Sequence, residues 1–111
     1  AYNLRKRFLV MVENKGAVMN LPEDAMVEIP AYITSDGPEP IRVGKIPTFF
    51  KALIEQQYAV EKLIVEAAIE HSYEKALMSL TLSRTVPSAF KAKEILDELI
   101  KANKGFWPEL N

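Results

Sequence analysis

Short apolar runs, separated by Gly, Pro, Asn and Asp, fill the part of the chain before Pro47. The run from Phe8 to Val12 is continuously apolar, which predicts a strand that is buried on both faces. Between Ala25 and Ile33 the apolar residues alternate with other residues, as in a strand with one buried face. The pattern therefore predicts short, mostly antiparallel strands within residues 8–43. The buried face of the second strand would carry Val27, Ile29, Ala31 and Ile33.

Turn-forming residues and prolines constrain how these strands connect. Gly16 follows the first strand and can take a positive φ there. Pro30 lies within the second strand and cannot donate a ladder hydrogen bond, so we expect that strand at a sheet edge or with a bulge. Residues 36–38 have the composition of a turn, and residues 41–43 are then predicted as a third strand that pairs back.

After Pro47 the apolar residues recur at helical spacing, which predicts three helices at about residues 48–71, 73–82 and 89–103. Thr48, Ser72 and Ser88 are suitable N-caps, and Gly105 supplies a C-terminal stop. Strands followed by helices in a chain of 111 residues indicate a single domain of the α+β class, residues 1–111.

The first predicted helix is long for so small a chain. About 23 residues make a helix of roughly 35 Å, which is more than a domain of this size needs to cover its own sheet. We therefore expect part of its apolar stripe, which includes Phe49, Leu53 and Ile64, to contact something outside the chain. The apolar tail that begins at Phe106 is expected to fold back onto the body.

Composition and charge remove several classes of function. The 14 Lys and Arg residues nearly cancel the 15 Asp and Glu residues, and the only basic cluster is Arg5-Lys6-Arg7, so no nucleic-acid partner is expected. No apolar stretch approaches the length of a membrane-spanning helix, so no membrane partner is expected either. The absence of Cys excludes disulfides and thiolate chemistry within the chain and is compatible with a cytoplasmic location.

The residues that could carry chemistry are few. The chain contains no phosphate-binding glycine motif and no metal-binding spacing. His71, the only histidine, is expected at a helix end, and Gln56 and Gln57 could make a polar contact across an interface. Four carboxylates lie around residues 12–30, where they are more typical of solvated turns than of an acid/base pair. They are Glu13, Glu23, Asp24 and Glu28.

Two asparagines and four methionines complete this set. Asn14 and Asn20 are expected to hydrogen-bond the backbone of the turn, and Asn14 is also kept as a substrate-pocket candidate. The methionines are interpreted as core residues. They are Met11, Met19, Met26 and Met78.

Four stretches of the chain together resemble the C-terminal portion of glycoside hydrolase family 4. They read FLVMVENKGAVMNLPEDAMVEIPAYI, GPEPIRVGKIP, QQYAVEKLIVEAA and LSRTVPSAFKAKEILDELIKANKGFWPEL. The similarity is collinear from Leu4 to Leu110. Within the family the chain is most similar to the bacterial 6-phospho-α-glucosidases, which act on phosphorylated maltose-type sugars. The resemblance also implies a lactate-dehydrogenase-like C-terminal domain.

The resemblance implies NAD and a divalent metal, usually manganese, as cofactors of the longer enzyme. Family members oxidise the sugar at C3, eliminate the aglycone with base assistance, add water and reduce the ketone again, outside the two-carboxylate scheme of most glycosidases. A neighbouring carbonyl acidifies the C2 proton, and a Lewis-acid metal stabilises the developing enolate charge.

The resemblance does not transfer any catalytic, cofactor-binding or metal-binding role to these 111 residues. The family's nucleotide-binding turn belongs to an N-terminal Rossmann domain, its metal ligands include a Cys and a His, and its tyrosine base and phosphate-binding arginine lie upstream. Because the chain has no Cys and His71 lies in a different setting, neither ligand is assigned here.

We therefore expect the chain to be the C-terminal fragment of a larger two-domain hydrolase, inactive on its own. Its expected partners are the missing N-terminal domain and further copies in a homo-oligomer, and the parent would bind a phosphorylated disaccharide. Two alternatives remain open. The chain could be a stand-alone helical protein-interaction module, or the same domain from a family 4 enzyme with another glycoside specificity.

Overall fold

Residues 5–111, which the computed structural model describes, form a three-stranded sheet followed by three helices. The strands are β1 (Lys6–Glu13), β2 (Met26–Thr34) and β3 (Gly37–Pro40), and the helices are α1 (Thr48–Glu70), α2 (Tyr73–Leu82) and α3 (Ala89–Ala102). By their contacts the residues divide into a first compact unit that ends at Glu55 and a second from Gln56 to Asn111. The predicted α+β class is confirmed.

The sheet is antiparallel and has the order β1-β2-β3, so that β2 lies in the centre. Phe8 pairs with Ala31 and Val12 pairs with Val27, and the register between them is unbroken. Of the four residues predicted to share the buried face of β2, Val27, Ile29 and Ala31 are at most 6% exposed. Ile33, near the end of the strand, is exposed.

The predictions that β2 is an edge strand or carries a bulge were both wrong, and the ladder shows why Pro30 is tolerated in the centre. The amide of Asn14 donates to the Ala25 carbonyl, and hydrogen-bonded pairs alternate along an antiparallel ladder. Counting along β2 from Ala25, Ile29 and Ala31 therefore bond to β1, and the Pro30 nitrogen between them faces β3. The ladder with β3 starts only at Ala31. Pro30 loses one donor there, while its carbonyl accepts from the Ile41 amide at 2.9 Å.

The third strand was predicted too late in the chain. β3 is Gly37–Pro40, whereas residues 41–43 form no strand. Pro38 was interpreted as a turn residue, but a proline can lie in an edge strand when its nitrogen faces away from the neighbouring strand. Beyond β3 the chain contacts residues that follow β1, since the Val43 amide donates to the Ala17 carbonyl at 2.9 Å.

The prediction that β1 is buried on both faces was wrong for the described residues. Phe8, Leu9 and Met11 are between 53% and 63% exposed, because β1 is an edge strand. The interpretation of the methionines as core residues was wrong as well, since all four are about half exposed or more. The buried apolar residues of the first unit lie instead on β2 and on residues 17–25.

The helices follow the predicted bounds within a residue. Ser72 and Ser88 are the N-caps of α2 and α3, where their hydroxyls accept from the amides of Lys75 and Lys91. Thr48, predicted as an N-cap, is the first residue of α1. Gly105 has φ +87 after α3, as a C-terminal stop requires. No helix within residues 5–111 has the length and apolarity to span a bilayer.

The second unit has a small buried cluster with one residue from each helix. Ala67 of α1, Ala76 of α2 and Leu96 of α3 form its buried cluster. The buried hydroxyl of Ser79 donates to the Val60 carbonyl at 2.8 Å, which joins α2 to α1 without leaving a polar group unpaired. The partly buried residues packed against the cluster are Tyr73, Leu77, Leu80, Ile100 and Leu110.

The chain end folds back as predicted, but not through its most apolar residue. The Asn111 amide donates to the His71 carbonyl at 2.7 Å, and the Tyr73 amide donates to the Asn111 carbonyl at 3.0 Å. Phe106, by contrast, is 89% exposed.

Candidate functional site

The connector between β1 and β2, residues 14–25, is organised around the side chain of Asn14. Its amide nitrogen donates to the carbonyls of Val18, Leu21 and Pro22 at 3.0–3.2 Å. Its amide oxygen accepts from the Val18 amide at 2.7 Å. Asn14 is 1% exposed, and both polar atoms of its side chain are bonded within the connector. The expected backbone role is therefore observed, and the geometry aims no polar atom of Asn14 at a ligand.

Asn20 attaches the other end of the connector to the segment before α1. Its amide nitrogen donates to the Ile46 carbonyl, and its amide oxygen accepts from the Ile46 amide, both at 2.9 Å. Lys15 and Gly16 take positive φ values between the two asparagines, and the Ala17 amide returns to the Asn14 carbonyl at 2.8 Å. The connector is thus a tightly hydrogen-bonded loop.

The four carboxylates around the connector are exposed. Glu13 forms an ion pair with Lys15 at 2.8 Å, which raises the pKa of the Lys15 ammonium through that hydrogen bond. Within residues 5–111 no group of three or more His, Cys, Asp and Glu residues could hold a metal ion.

The remaining polar candidates serve the second unit itself. His71 is exposed with φ 57, directly after α1, and it contributes its carbonyl to the chain end. Gln56 donates from its side chain to the Leu82 carbonyl at the end of α2, and Gln57 donates to Glu61 one turn further along α1. Each of the three has a structural role.

A lysine on α2 joins two glutamates of α1. The Lys75 ammonium lies 2.7 Å from carboxylate oxygens of both Glu66 and Glu70. This contact raises the pKa of Lys75, and the hydrogen bond from Lys75 lowers the pKa of the Glu66 carboxyl. Sequence reasoning missed the pairing because Lys75 and Glu66 lie nine positions apart, outside the spacing of pairs within one helix.

A second polar network joins the start of α2 to α3. The Tyr73 hydroxyl donates to Asp97 at 2.7 Å, and Lys93 lies 2.6 Å from the other carboxylate oxygen. The hydrogen bonds from Lys93 and then Tyr73 lower the pKa of Asp97, while the same carboxylate raises the pKa of the Tyr73 phenol. The network is exposed, and it stabilises helix packing rather than a reacting group.

A cavity of about 320 Å³ opens in the second unit between the helices and the chain end. Every side chain that lines it is apolar, including Ile64, Leu80, Leu99 and Trp107. Sites for small polar ligands carry a few well-placed polar groups that orient the ligand. A wall without such groups cannot orient a sugar phosphate, so this cavity is an apolar crevice and not a substrate site.

The sequence of the chain matches one part of a known family. The model of the family 4 glycosyl hydrolase C-terminal domain matches residues 1–86. The chain belongs to family 4 of the glycosyl hydrolases. This membership confirms the similarity that the four quoted stretches indicated.

Curated and solved members of family 4 resemble the chain along its whole length. The maltose-6'-phosphate glucosidase MalH of Clostridium acetobutylicum is 57% identical over 111 residues, which is 100% of this chain and 25% of MalH. A 6-phospho-α-glucosidase from gut microorganisms, solved with NAD and glucose-6-phosphate, has a TM-score of 0.92 and 62% identity over 98% of this chain and 25% of its own.

Another solved 6-phospho-α-glucosidase from gut microorganisms, in complex with NAD and Mn²⁺, has a TM-score of 0.94 and 50% identity. The similarity covers 99% of this chain and 25% of that one. The chain therefore spans about a quarter of the length of the family 4 relatives it matches.

Proposed function

We propose that this chain is the C-terminal portion of a bacterial, cytoplasmic 6-phospho-α-glucosidase. The complete enzyme would combine it with an N-terminal Rossmann domain, use NAD and manganese, and hydrolyse phosphorylated α-glucosides. The observation that carries the proposal is the 57% identity with a maltose-6'-phosphate glucosidase over all 111 residues. The solved relatives with NAD, Mn²⁺ and glucose-6-phosphate support the same cofactors and substrate class.

Within that enzyme the chain would act as a framework. Its described residues do not fit a metal centre, since no three candidate ligands come together in residues 5–111. Its connector uses the polar atoms of Asn14 internally, so Asn14 would affect a substrate pocket only through the position of the loop. No step of the reaction is assigned to a side chain of this segment.

A chimera tests the proposal directly. The last quarter of Clostridium acetobutylicum MalH, the part that the chain matches, is replaced by these 111 residues. We expect the chimera to hydrolyse maltose 6'-phosphate only when NAD and Mn²⁺ are both supplied, and the isolated chain to be inactive under the same conditions. Turnover by the isolated chain, or a folded chimera without turnover, would contradict the proposal.

The same measurement separates the alternative glycoside specificities. If the chimera prefers a phosphorylated β-glucoside while unmodified MalH prefers the α-linkage, this segment determines the linkage and the α-assignment fails. We expect both proteins to keep the α-preference.

A protein-interaction module is the second candidate, and one observation favours it. Phe49 and Ile69 of α1 are 68% and 75% exposed, and such apolar side chains could contact a partner protein. Under that hypothesis the isolated chain would capture a partner unrelated to family 4 enzymes, and the chimera would be inactive. We also propose that the complete enzyme is a homo-oligomer, and gel filtration of the chimera measures its oligomeric state.

A further inference from the structure

The two edges of the sheet in the first unit differ in the hydrogen bonds they can offer. Thr34 pairs with Gly37 across the hairpin, so that Pro38 and Pro40 turn their nitrogens to the outer edge of β3. Proline has no N–H, and this edge therefore has no outward donor at either position. The edge is closed to a further strand.

The outer edge of β1 has the opposite character. Phe8 and Val10 hydrogen-bond to β2, which leaves the N–H and C=O groups of Leu9 and Met11 pointing outward. Among the described residues no strand pairs with this edge. One edge of the sheet is closed by proline and the other is open.

An exposed face that carries three apolar residues adjoins the open edge. Leu9 and Met11 of β1 lie on the same face as Met26 of β2, and their exposed fractions are 62%, 63% and 56%. Glu28 and Glu13 lie on this face as well, opposite Met11 and Met26. The opposite face of β2 carries the buried side chains of Val27 and Ile29. We call the exposed surface formed by Leu9, Met11 and Met26 the open face. An open edge next to an open face is a combination that soluble proteins normally cover.

We infer that the remainder of the family 4 chain covers this surface, with one of its strands paired to the outer edge of β1 and apolar side chains on the open face. The inference rests on the proposed function. Two solved relatives have the fold of this segment, with TM-scores of 0.92 and 0.94, inside chains of which it forms only 25%. The other three quarters of such a chain are thus available to cover β1, the one open sheet edge within residues 5–111.

Hydrogen exchange of single amides tests the pairing. In the free chain the amides of Leu9 and Met11 exchange rapidly, whereas those of Phe8 and Val10 are protected by β2 and serve as internal controls. In the MalH chimera we expect the Leu9 and Met11 amides to exchange at least about tenfold more slowly than in the free chain. Equal exchange rates in the free chain and the chimera would overturn the inference.

Two methionines provide a matched pair for the open face. Met11 on the open face is 63% exposed and Met19 on the connector is 65% exposed. The substitution is Met→Gln at each position, because Glu28 lies opposite Met11 and would pair with a lysine there. In the chimera we expect Met11→Gln to lower the melting temperature by several degrees more than Met19→Gln, because it buries a polar amide. In the free chain the two changes are expected to have equal effects.

Each outcome has one meaning. Equal effects of Met11→Gln and Met19→Gln in the chimera overturn the inference. Protection of Leu9 and Met11 in the free chain that grows with its concentration also overturns it, by identifying a second copy as the occupant.

Turnover by the chimera tests the proposed function separately. An inactive chimera with protected Leu9 and Met11 amides retains the inference, and an active chimera with unprotected amides rejects it.

Discussion

Asn14 determines the path of the connector through a single carboxamide. Its side chain hydrogen-bonds to one backbone amide and three backbone carbonyls of the connector, which is only twelve residues long, residues 14–25. Buried backbone groups without partners are costly, so a loop that turns inward needs such a side chain. Asn20 has a lesser role, since it is partly buried and bonds only to Ile46.

Replacing Asn14 by Ala is expected to lower the free energy of unfolding by about 1–3 kcal/mol, because the Val18 amide and its neighbours lose their partner. The Asn20→Ala variant is the control and should lose less. Urea unfolding of both variants measures the difference.

If Asn14→Ala left stability intact but lowered turnover of the chimera, Asn14 would contact substrate rather than hold the loop. The test therefore decides between the pocket role predicted for Asn14 and its observed hydrogen bonds.

The sequence predicts contacts between residues that are close in the chain better than contacts between separate elements. The backbone role of Asn14 was predictable, because an Asn side chain in a turn bonds nearby backbone groups. The contact of Asn20 with Ile46 was not, since the two residues are 26 positions apart. The contact of Lys75 with Glu66 and Glu70 was not, since it depends on how α2 packs on α1.

At the scale of elements, a single polar group can decide where a helix begins or whether a strand can pair. The two cases here are the hydroxyl of a serine cap and the N–H that proline lacks. Ser88 begins α3 by accepting from the Lys91 amide at 3.2 Å, a signal that was readable in the sequence. The predictions for Pro30 and Pro38 were wrong for a related reason. Which side a proline nitrogen faces depends on strand register, and a pattern of residues alone does not reveal the register.

The Ser88→Ala variant is expected to lose about 0.5–2 kcal/mol of unfolding free energy, because one amide at the start of α3 loses its acceptor. Ser35→Ala, in the exposed loop between β2 and β3, is the matched control. Thermal unfolding followed by circular dichroism checks the pair, and equal stability of the two variants would show that the cap contributes nothing.

The contact between α1 and α2 makes a pH-dependent contribution to stability. The pKa of Glu66 is lowered in the folded chain by the hydrogen bond from Lys75, so the contribution is present at neutral pH and is lost as the pH falls below about 4. In Lys75→Met the pKa of Glu66 should rise toward its ordinary value, and stability should fall less steeply in acid.

Side-chain NMR of Glu66 measures that shift directly, with Lys91→Met on α3 as the control that leaves Glu66 unchanged. An unchanged pKa of Glu66 in Lys75→Met would contradict the role given to the lysine.

At the scale of the whole molecule, the chain has the fold of its family 4 relatives, and residues 5–111 contain no group of three or more His, Cys, Asp and Glu residues that could hold a metal ion. The family could be inferred from collinear sequence, because identity spread over the chain is more specific than a short motif. The exposure of β1 and of the methionines was not predictable, since the apolar pattern of a segment does not say which other segment covers it.

The central claim is that this segment supplies a framework and no reacting group. It is tested most directly by the turnover number of the MalH chimera after replacement of the candidate acids and bases of the segment. These are Glu13, Glu23 and Glu28 changed to Gln, Asp24 changed to Asn, and His71 changed to Ala. We expect the turnover number to stay within about threefold of the unsubstituted chimera, whereas loss of a general acid or base reduces rates by roughly 10²–10⁴-fold. A reduction of that size in a chimera that remains folded would contradict the claim and place a catalytic residue in this chain.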